Sequence, residues 1–343
     1  MNTINEYLSL QEFESVIFGN SKIKVSPSVI NRVEESFNFL KEFSENKVIY
    51  GVNTGFGPMA QYRIKNENRN QLQYNLIRSH SSGTGKPMDA TFVKAAILAR
   101  LNTLSLGHSG VHPSVIHLMT ELINRDITPL IFEHGGVGAS GDLVQLAHLA
   151  LVLIGEGEVF YKGERKSTKD IFAIEKLKPI QVEIREGLAL MNGTSVMTGI
   201  GVVNVHNANK LLDWSLKCSC AINELVQAYD DHFSAELNQT KRHAGQQKVA
   251  ERMRDNLSDS TLIRKREEHL YTGENEEDIF KEKVQEYYSI RCVPQILGPV
   301  LETINNVASI LENEFNSAND NPIIDVKNQH VYHGGNFHGD YIS

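Results

Sequence analysis

Helical periodicity dominates this chain and constrains its fold more than any other feature. Residues 92–106 carry apolar side chains at helical spacing, and Pro113 stands where another helix can begin. Residues 143–154 are almost wholly apolar, which indicates a helix buried on all sides. Residues 202–229, without an internal proline, and residues 296–315 predict two long core helices. The pattern predicts a mainly α fold with a long central helical bundle.

Strand-like segments are short and confined to the first half of the chain. They comprise residues 47–51, 128–132 and 158–161. We therefore predict a smaller mixed N-terminal region over residues 1–200, which carries the glycine-rich loop described below, followed by the helical bundle over residues 201–343. Residues 246–285 are strongly charged, which predicts a solvated face or a mobile loop without chemistry of its own.

Charge and composition exclude several classes of partner. The 343 residues carry a net charge of −8, and no cluster of lysine and arginine accompanies an apolar span, so neither nucleic acid nor a membrane surface is expected as a partner. The first residues lack a basic segment followed by an apolar one, and no stretch reaches the roughly 20 apolar residues needed to span a bilayer. A cytoplasmic protein is expected.

Neither the cysteines nor the histidines have the spacing of a metal site. Cys218, Cys220 and Cys292 contain no C-x-x-C pair, so we predict neither a disulfide framework nor a thiolate zinc site. Glycines interrupt the helix that would join His108 to His112, and no H-E-x-x-H motif occurs. The remaining candidates, His330, His333 and His338, are scattered through a loop. We predict no metal.

The chemistry of the chain is concentrated in the glycine-rich segment 134–143, HGGVGASGDL, directly before an apolar helix. Gly136, Gly138 and Gly141 satisfy the G-x-G-x-x-G pattern of dinucleotide-binding loops, but no second βαβ unit follows. A nucleophile elbow requires G-x-S-x-G, and position 142 is aspartate. A purely structural interpretation, a tight connection into the helix, stays open.

Ala139-Ser140-Gly141 also has the composition needed to build an electrophile from the backbone. If the Gly141 nitrogen attacks the Ala139 carbonyl carbon, a five-membered ring closes. Loss of two waters then leaves Ser140 as an exocyclic methylidene, giving 4-methylidene-imidazol-5-one (MIO). The reaction needs an unhindered nitrogen, a small first residue, a hydroxyl to eliminate and glycines that permit a compressed backbone. A helix that begins at Asp142 would place its positive end beside the ring.

Five separated motifs, spread from Tyr50 towards Phe337, resemble the aromatic amino-acid ammonia-lyases. This family comprises the histidine, phenylalanine and tyrosine ammonia-lyases and related aminomutases. The motifs are residues 50–57 (YGVNTGFG), 75–80 (NLIRSH), 138–142 (GASGD), 192–195 (NGTS) and 285–292 (QEYYSIRC). The resemblance implies the ammonia-lyase fold, an MIO group formed from Ala139-Ser140-Gly141, and no exogenous cofactor.

The resemblance also implies a role for each catalytic residue. The substrate amine adds to the Ser140-derived methylidene and becomes a better leaving group, and Tyr50 removes the β-proton. A phenol needs nearby positive potential to act as a base near neutrality.

Other positions match residues of the family that bind substrate or support the prosthetic group. Arg291 corresponds to the arginine that holds the α-carboxylate through a bidentate pair. Asn192 is expected to hydrogen-bond near the ring and the substrate. Tyr288 and Gln285 are expected to support ring formation and elimination, and Phe337 to pack against the prosthetic group or the substrate.

Substrate choice is predicted from residues expected near the ring of the substrate. His80 could hydrogen-bond either a phenol hydroxyl or an imidazole nitrogen, so this residue alone does not determine the substrate. Ser195 stands where histidine ammonia-lyases usually have glutamine, and Val144-Gln145 replaces their Ala-Pro. The chain looks very similar to flavobacterial tyrosine ammonia-lyases. L-Tyrosine, converted to p-coumarate, is therefore expected, with L-histidine, converted to urocanate, as the alternative.

Finally, the resemblance implies a homotetramer with active sites shared between chains, so that Tyr288 and Arg291 serve the Ser140 group of a neighbouring subunit. The family continues beyond the position of Phe337. We therefore expect this chain to be truncated at its C-terminus, and an inactive fragment is a second alternative.

Overall fold

The computed structural model describes residues 1–138, 140–272 and 278–342. The fold is mainly α, as the periodicity predicts. The helices are α1 Leu10–Ile17, α2 Pro27–Phe43, α3 Arg69–His80, α4 Ala90–Ser105, α5 Pro113–Asn124, α6 Leu143–Leu153, α7 Thr168–Glu175, α8 Glu186–Met191, α9 Ser195–Leu225, α10 Ala235–Gln239, α11 Ala244–Asn256, α12 Arg266–His269, α13 Tyr288–Arg291 and α14 Val293–Phe315.

Local sequence explains several of these boundaries. α5 begins at Pro113, whose fixed φ suits a first helical position, and the side chain of His112 caps it by accepting from the Ser114 N–H. α6 is the apolar helix predicted from residues 143–154. The two long helices are confirmed, although α9 begins earlier than predicted and α14 contains Pro299 within its first turns.

The strands are short and form small sheets. β1 Asn2–Ile4 pairs in parallel with β2 Ile23–Val25, and the remaining pairs are antiparallel. These are β3 Thr84–Pro87 with β5 Phe132–His134, β4 Thr128–Pro129 with β6 Glu158–Tyr161, β6 with β7 Glu164–Ser167, and β8 Ile323–Asp325 with β9 His330–Tyr332. The strand predicted at residues 158–161 is confirmed as β6.

Two of the predicted strands are wrong, wholly or in part. Residues 47–51 form no strand, because the Asn53 side chain takes up the groups that a strand would pair: its Oδ1 accepts from the Ile49 N–H at 2.9 Å and its Nδ2 donates to the Lys47 carbonyl at 2.6 Å. Residues 128–132 are divided between β4 and β5, which pair with different partners. The first ends at Pro129, a residue without an N–H.

The chain forms two compact units. The first consists of Met1–Val203 and Ile310–Ser343, and the second of Asn204–Ser309. The division of the protein into an N-terminal region over residues 1–200 and a helical bundle over residues 201–343 stays a prediction. In the first unit one apolar cluster lies beneath the segment that carries Tyr50: Leu40, Ile49, Val52, Ile324 and Val331.

The second unit has its own core, built by α9, α11 and α14 around Leu216, Met253 and Val293. The prediction of a solvated or mobile segment is wrong for residues 246–256, which belong to α11 and bury an apolar stripe that includes Val249. Residues 273–277 of the predicted loop lie outside the described residues. Within the described part of the chain, no helix is both long and apolar enough to cross a membrane.

Candidate active site

A cavity of about 460 Å³ in the first unit brings together residues that are distant in the sequence. Five of the predicted site residues line it: Tyr50, His80, Ser140, Asn192 and Phe337. Its other walls are formed by Phe56, Gly57, Leu76, Leu143, Leu188, Met191, Asn321 and His333. α3, α6 and α8 therefore contribute side chains to one site, together with the loops around residues 50–57 and 333–337.

Tyr50 enters the cavity from a tight turn. Gly51 follows it with φ +73°, and a Cβ at that position would lie 2.4 Å from Cδ2 of Leu188, so only glycine fits without displacement. The phenolic oxygen of Tyr50 accepts a hydrogen bond from the Gly57 N–H at 3.1 Å. Its ring packs edge to face against Phe56, with 6.2 Å between the ring centroids. These contacts fix both the backbone and the side chain of the predicted base.

Ser140 and Gly141 lie in a compressed segment of backbone. Both have left-handed conformations, with φ of +62° and +77°. A Cβ on Gly141 would lie 2.2 Å from the Gly193 carbonyl oxygen and 3.2 Å from that of Phe337, so no side chain fits. The Asn192 side-chain amide donates to the Ser140 carbonyl at 3.1 Å. Ala139, the third residue predicted to form the ring, lies outside the described residues.

This geometry fits the prosthetic group that the sequence predicts. Ring closure requires a crowded turn with an unhindered Gly141 nitrogen, and the approach of Gly193 supplies that crowding. Asn192 and Gly193 would hold the group from one side. On the other side, α6 begins at Leu143, so its positive N-terminal end faces the segment.

Asp142 ties this segment to the start of α9. Its Oδ2 accepts from the Val196 N–H at 2.8 Å and from the Met197 N–H at 3.0 Å, and its own N–H donates to the Gly193 carbonyl at 2.8 Å. Burial raises the pKa of Asp142 to about 6, although the two backbone donors oppose the shift.

Arg100 on α4 supports Asn192 from the protein interior. The side chain is fully buried and donates to the carbonyl oxygens of Asn192, at 2.9 Å, and Ala189, and to the Asn319 side chain at 3.2 Å. Burial lowers the pKa of Arg100 to about 10, so it remains charged at neutral pH. The sequence gives no sign of this role, since an arginine within an apolar helix is not distinguished from an exposed one.

A second buried arginine orders the backbone at Asn321, another residue of the cavity lining. Arg185 and Asp320 form a fully buried pair, with Nη2 2.9 Å from Oδ1 and Nη1 3.3 Å from Oδ2. Arg185 also donates to the carbonyl of Asn321 at 2.8 Å, and the side chain of Asn321 lines the cavity. This pair, too, was not predicted from the sequence.

His80, at the end of α3, presents one ring nitrogen to its own helix. Nδ1 lies 3.0 Å from the Leu76 carbonyl and 3.1 Å from the Ser79 hydroxyl. A carbonyl can only accept, so Nδ1 carries the proton when that bond forms, which leaves Nε2 as an acceptor.

Gln285, Tyr288 and Arg291 lie in the second unit and are not among the described residues that line the cavity. Arg291 donates to the Gln285 side chain, and its guanidinium lies 4.8 Å from the centroid of the Tyr288 ring. Tyr288 is 73% exposed. The structure thus brings these three residues together, and their roles at the active site stay predictions.

Comparison with known proteins settles the family. The model of the family described as aromatic amino acid lyase matches residues 8–343. The chain belongs to this family. The resemblance identified from the five motifs is thereby confirmed.

Among curated relatives, a histidine ammonia-lyase from Stigmatella aurantiaca is 38% identical over 100% of the chain and 65% of its own length. A tyrosine 2,3-aminomutase from Chondromyces crocatus is 37% identical over 100% of the chain and 66% of its own length. The chain thus spans slightly less than two thirds of the length of these relatives.

Solved structures of the family show the same fold. The phenylalanine aminomutase of Pantoea agglomerans superposes with a TM-score of 0.92 at 34% identity, over 99% of this chain and 66% of that one. The histidine ammonia-lyase of Trypanosoma cruzi gives a TM-score of 0.84 at 28% identity, over 100% of this chain and 62% of that one.

Proposed function

We propose that the whole protein eliminates ammonia from an aromatic L-α-amino acid and uses an MIO group formed from Ala139-Ser140-Gly141. One observation carries the proposal: the cavity places the Tyr50 phenol, the Ser140 segment and the Asn192 amide around a common space. Those groups supply a base, the precursor of an electrophile and a hydrogen-bond donor. An ammonia-lyase needs all three.

Tyr50 is the proposed base. The Gly57 N–H donates to its phenolic oxygen, so it stabilises negative charge on that oxygen when the proton leaves. The turn at Gly51 aims the ring into the cavity. Because its backbone and its oxygen are both held, Tyr50 can receive the β-proton at a fixed point.

The Ser140 segment is the proposed centre of the electrophile. When formed, the MIO group supplies an electrophilic carbon to which the substrate amine can add. Asn192 hydrogen-bonds the Ser140 carbonyl, Arg100 fixes the carbonyl of Asn192, and the N-terminal end of α6 adds positive potential. These groups favour negative charge on the segment.

L-Tyrosine is the first substrate that we propose. With Nδ1 of His80 donating to Leu76, Nε2 is an acceptor on the cavity wall, which suits a phenolic O–H. A substrate without the hydroxyl would leave that nitrogen without a partner and would be disfavoured. Ser195 is fully buried at the start of α9 and is not among the described lining residues, so its influence on substrate choice would act through packing.

L-Histidine is the second candidate. An imidazole N–H can also donate to Nε2 of His80, and curated relatives at 38% identity carry the name histidine ammonia-lyase. We also propose that the protein is a homotetramer in which Arg291, Tyr288 and Gln285 serve the site of a neighbouring subunit, where Arg291 would hold the substrate carboxylate.

The test uses the purified whole protein and its Ser140→Ala variant. Each is incubated separately with tyrosine, histidine and phenylalanine while the ultraviolet spectrum is recorded. We expect the band of p-hydroxycinnamate to grow with tyrosine and to be absent with the variant. If histidine is the only substrate that gives a product band, that of urocanate, then L-histidine is the substrate and L-tyrosine is not.

Intact mass of the peptide that contains Ser140 supplies an independent measurement. We expect the wild-type peptide to lack the mass of two waters relative to its sequence, and the Ser140→Ala peptide to have its unmodified mass. If the wild-type peptide is unmodified, the MIO proposal is wrong. Chromatographic detection of a β-amino acid as the main product would identify an aminomutase instead.

A further inference from the structure

The turn that carries Tyr50 is held by three side chains, one at the Tyr50 N–H and two at the backbone groups of Gly51. Within the turn, the Thr54 hydroxyl accepts from the Gly51 N–H at 3.2 Å. From the interior, the amide of the buried Gln73 donates to the Gly51 carbonyl at 2.9 Å and accepts from the Leu188 N–H at 3.2 Å. From the cavity, Nε2 of His333 accepts the Tyr50 N–H at 3.2 Å. Of these bonds, only the one to His333 can titrate.

His333 accepts this bond only in one protonation state. A backbone N–H can only donate, so Nε2 must carry a lone pair and the ring must be neutral with its proton on Nδ1. Protonation would make Nε2 a donor and place two N–H groups against each other. His333 is exposed within the open cavity, so protons from solvent can reach it.

The surroundings of His333 favour the neutral ring at physiological pH. Burial of part of the ring, and then its electrostatic interactions with Arg185 and His330, lower the pKa of His333 below its ordinary value. The ion pair with Asp320 partly offsets the charge of Arg185. The other titratable side chains that line the same cavity are those of Tyr50 and His80.

We propose that His333 is a positioning residue for Tyr50, a latch that holds the turn at neutral pH and releases it when the ring is protonated. Of the proposed function, the inference uses only the role of Tyr50 as the base. Release would free the Tyr50 N–H while Gln73 and Thr54 still hold Gly51, and it would loosen the aim of the phenol into the cavity. Acid would therefore lower the rate of proton removal more than the affinity for the substrate.

Two variants of His333 separate the hydrogen bond from the ring. His333→Gln keeps an acceptor, the amide oxygen, at the same number of bonds from the backbone. Unlike the imidazole nitrogen, this oxygen does not titrate at neutral or mildly acidic pH. His333→Phe keeps a ring of similar size and removes the acceptor. A merely structural role for the ring would be preserved in the phenylalanine variant and not in the glutamine variant.

Hydrogen–deuterium exchange of the whole protein tests the latch without reference to catalysis. Overlapping peptides isolate the Tyr50 amide, and peptides from α4 serve as the internal control. At about pH 7.5 we expect this amide to exchange about fivefold faster in His333→Phe than in the wild type, the effect of losing one hydrogen bond, and at the wild-type rate in His333→Gln.

As the pH is lowered below the ordinary pKa range of histidine, we expect exchange in the wild type to approach that in His333→Phe, while His333→Gln remains protected. Comparison at equal pH cancels the intrinsic pH dependence of exchange. Equal exchange of the Tyr50 amide in wild type and His333→Phe at neutral pH would overturn the latch. Protection of the wild type that persists at the lowest pH at which the α4 control peptides remain protected would overturn its titration.

Activity provides a second measurement. We expect the acid limb of the kcat profile of the wild type to move or disappear in His333→Gln, with KM little changed. If no amino acid is turned over but the exchange pattern holds, the proposed function fails and the latch stands. If turnover is found and the acid limb is the same in His333→Gln, the pH dependence that we assign to His333 is refuted.

Discussion

Asn192 donates a hydrogen bond from its side-chain amide to the backbone carbonyl of Ser140, 3.1 Å away. The backbone carbonyl of the same asparagine accepts from the fully buried Arg100 at 2.9 Å. Asn192 therefore connects the predicted electrophile to a charge in the protein interior. A donor held in this way is preorganised, and such donors are worth more than mobile ones when charge develops during a reaction.

The first prediction concerns this donor. Asn192→Leu keeps the size of the side chain and removes the amide, so we expect kcat to fall about 100-fold. The matched control is Asn102→Leu, because Asn102 is also buried and donates to the Phe315 carbonyl at 2.7 Å but does not line the cavity. Both variants should lose stability, and only the first should lose activity. Equal losses of kcat would show that Asn192 acts through folding alone.

The second prediction concerns Tyr50, the proposed base. Tyr50→Phe keeps the ring that packs against Phe56 and removes the oxygen that Gly57 contacts. We expect kcat to fall by about 10² to 10⁴, the usual contribution of a general base, and the melting temperature to change little. Tyr161→Phe, which removes a phenol bonded to Glu175 outside the cavity, should leave kcat unchanged. Steady-state kinetics on both variants decide the matter.

Much of the fold could be predicted from the sequence, because apolar side chains at helical spacing must be buried and the proline at residue 113 marks a helix start. The family resemblance also predicted five residues that the cavity brings together, among them Tyr50, Ser140 and Asn192. Short strands were harder to predict. At residues 47–51 the side chain of Asn53 bonds the backbone groups that a strand would pair. The spacing of apolar residues does not reveal such side-chain bonds.

The supporting charges could not be predicted, since a pattern of residue types does not show which charged side chains are buried. Arg100, Arg185 and Glu186 are each fully buried, and each looks in the sequence like an ordinary helix residue. The partners of the two arginines lie far along the chain: Asp320 follows Arg185 by 135 residues. Only the tertiary structure pairs them.

The third prediction compares two glycines with similar backbone conformations. Gly138 has φ +71° and open space where a methyl group would lie, whereas Gly141 has φ +77° and the Gly193 carbonyl oxygen 2.2 Å from the position of a Cβ. Substitution by alanine should lower the free energy of unfolding by about 1–2 kcal/mol at either position, because alanine disfavours the left-handed conformation. Gly141→Ala should lower the free energy of unfolding by about 1–3 kcal/mol more, because its methyl group would clash with the Gly193 carbonyl. Denaturant unfolding of both variants measures the difference, and equal losses would contradict the crowding.

The fourth prediction is a pH dependence of stability that arises from Glu186. Its oxygens accept from the N–H groups of His112 and Glu183 at 2.7 and 2.8 Å, yet burial raises its pKa from 4.5 to about 7. Between these values the folded state retains a proton that the unfolded state has released. The stabilisation associated with that proton is therefore present at low pH and is lost as the pH rises towards 7.

Comparison of the wild type with Glu186→Gln isolates this effect. The free energy of unfolding of the wild type relative to the variant should fall by about 2–3 kcal/mol between about pH 5 and about pH 8. The mismatch between the glutamine NH₂ and a backbone N–H is the same at both pH values, so it cancels in the comparison. A difference independent of pH would show that Glu186 is ionised throughout.

The fifth prediction concerns the buried pair of Arg185 and Asp320. Removing one partner leaves the other charged and without its counter-ion in the interior, so Arg185→Met and Asp320→Leu should each lower the free energy of unfolding by about 3–5 kcal/mol. The double variant removes both charges, and its loss should be well below the sum of the single losses.

The matched control is the exposed pair of Arg78 and Glu156, which has the same two-pronged contact at 3.1 and 2.7 Å. Its coupling should not exceed about 1 kcal/mol, because solvent screens exposed charges. Denaturant unfolding of the two cycles gives both couplings, and equal values would mean that burial adds nothing to the pair that orders the cavity wall at residue 321.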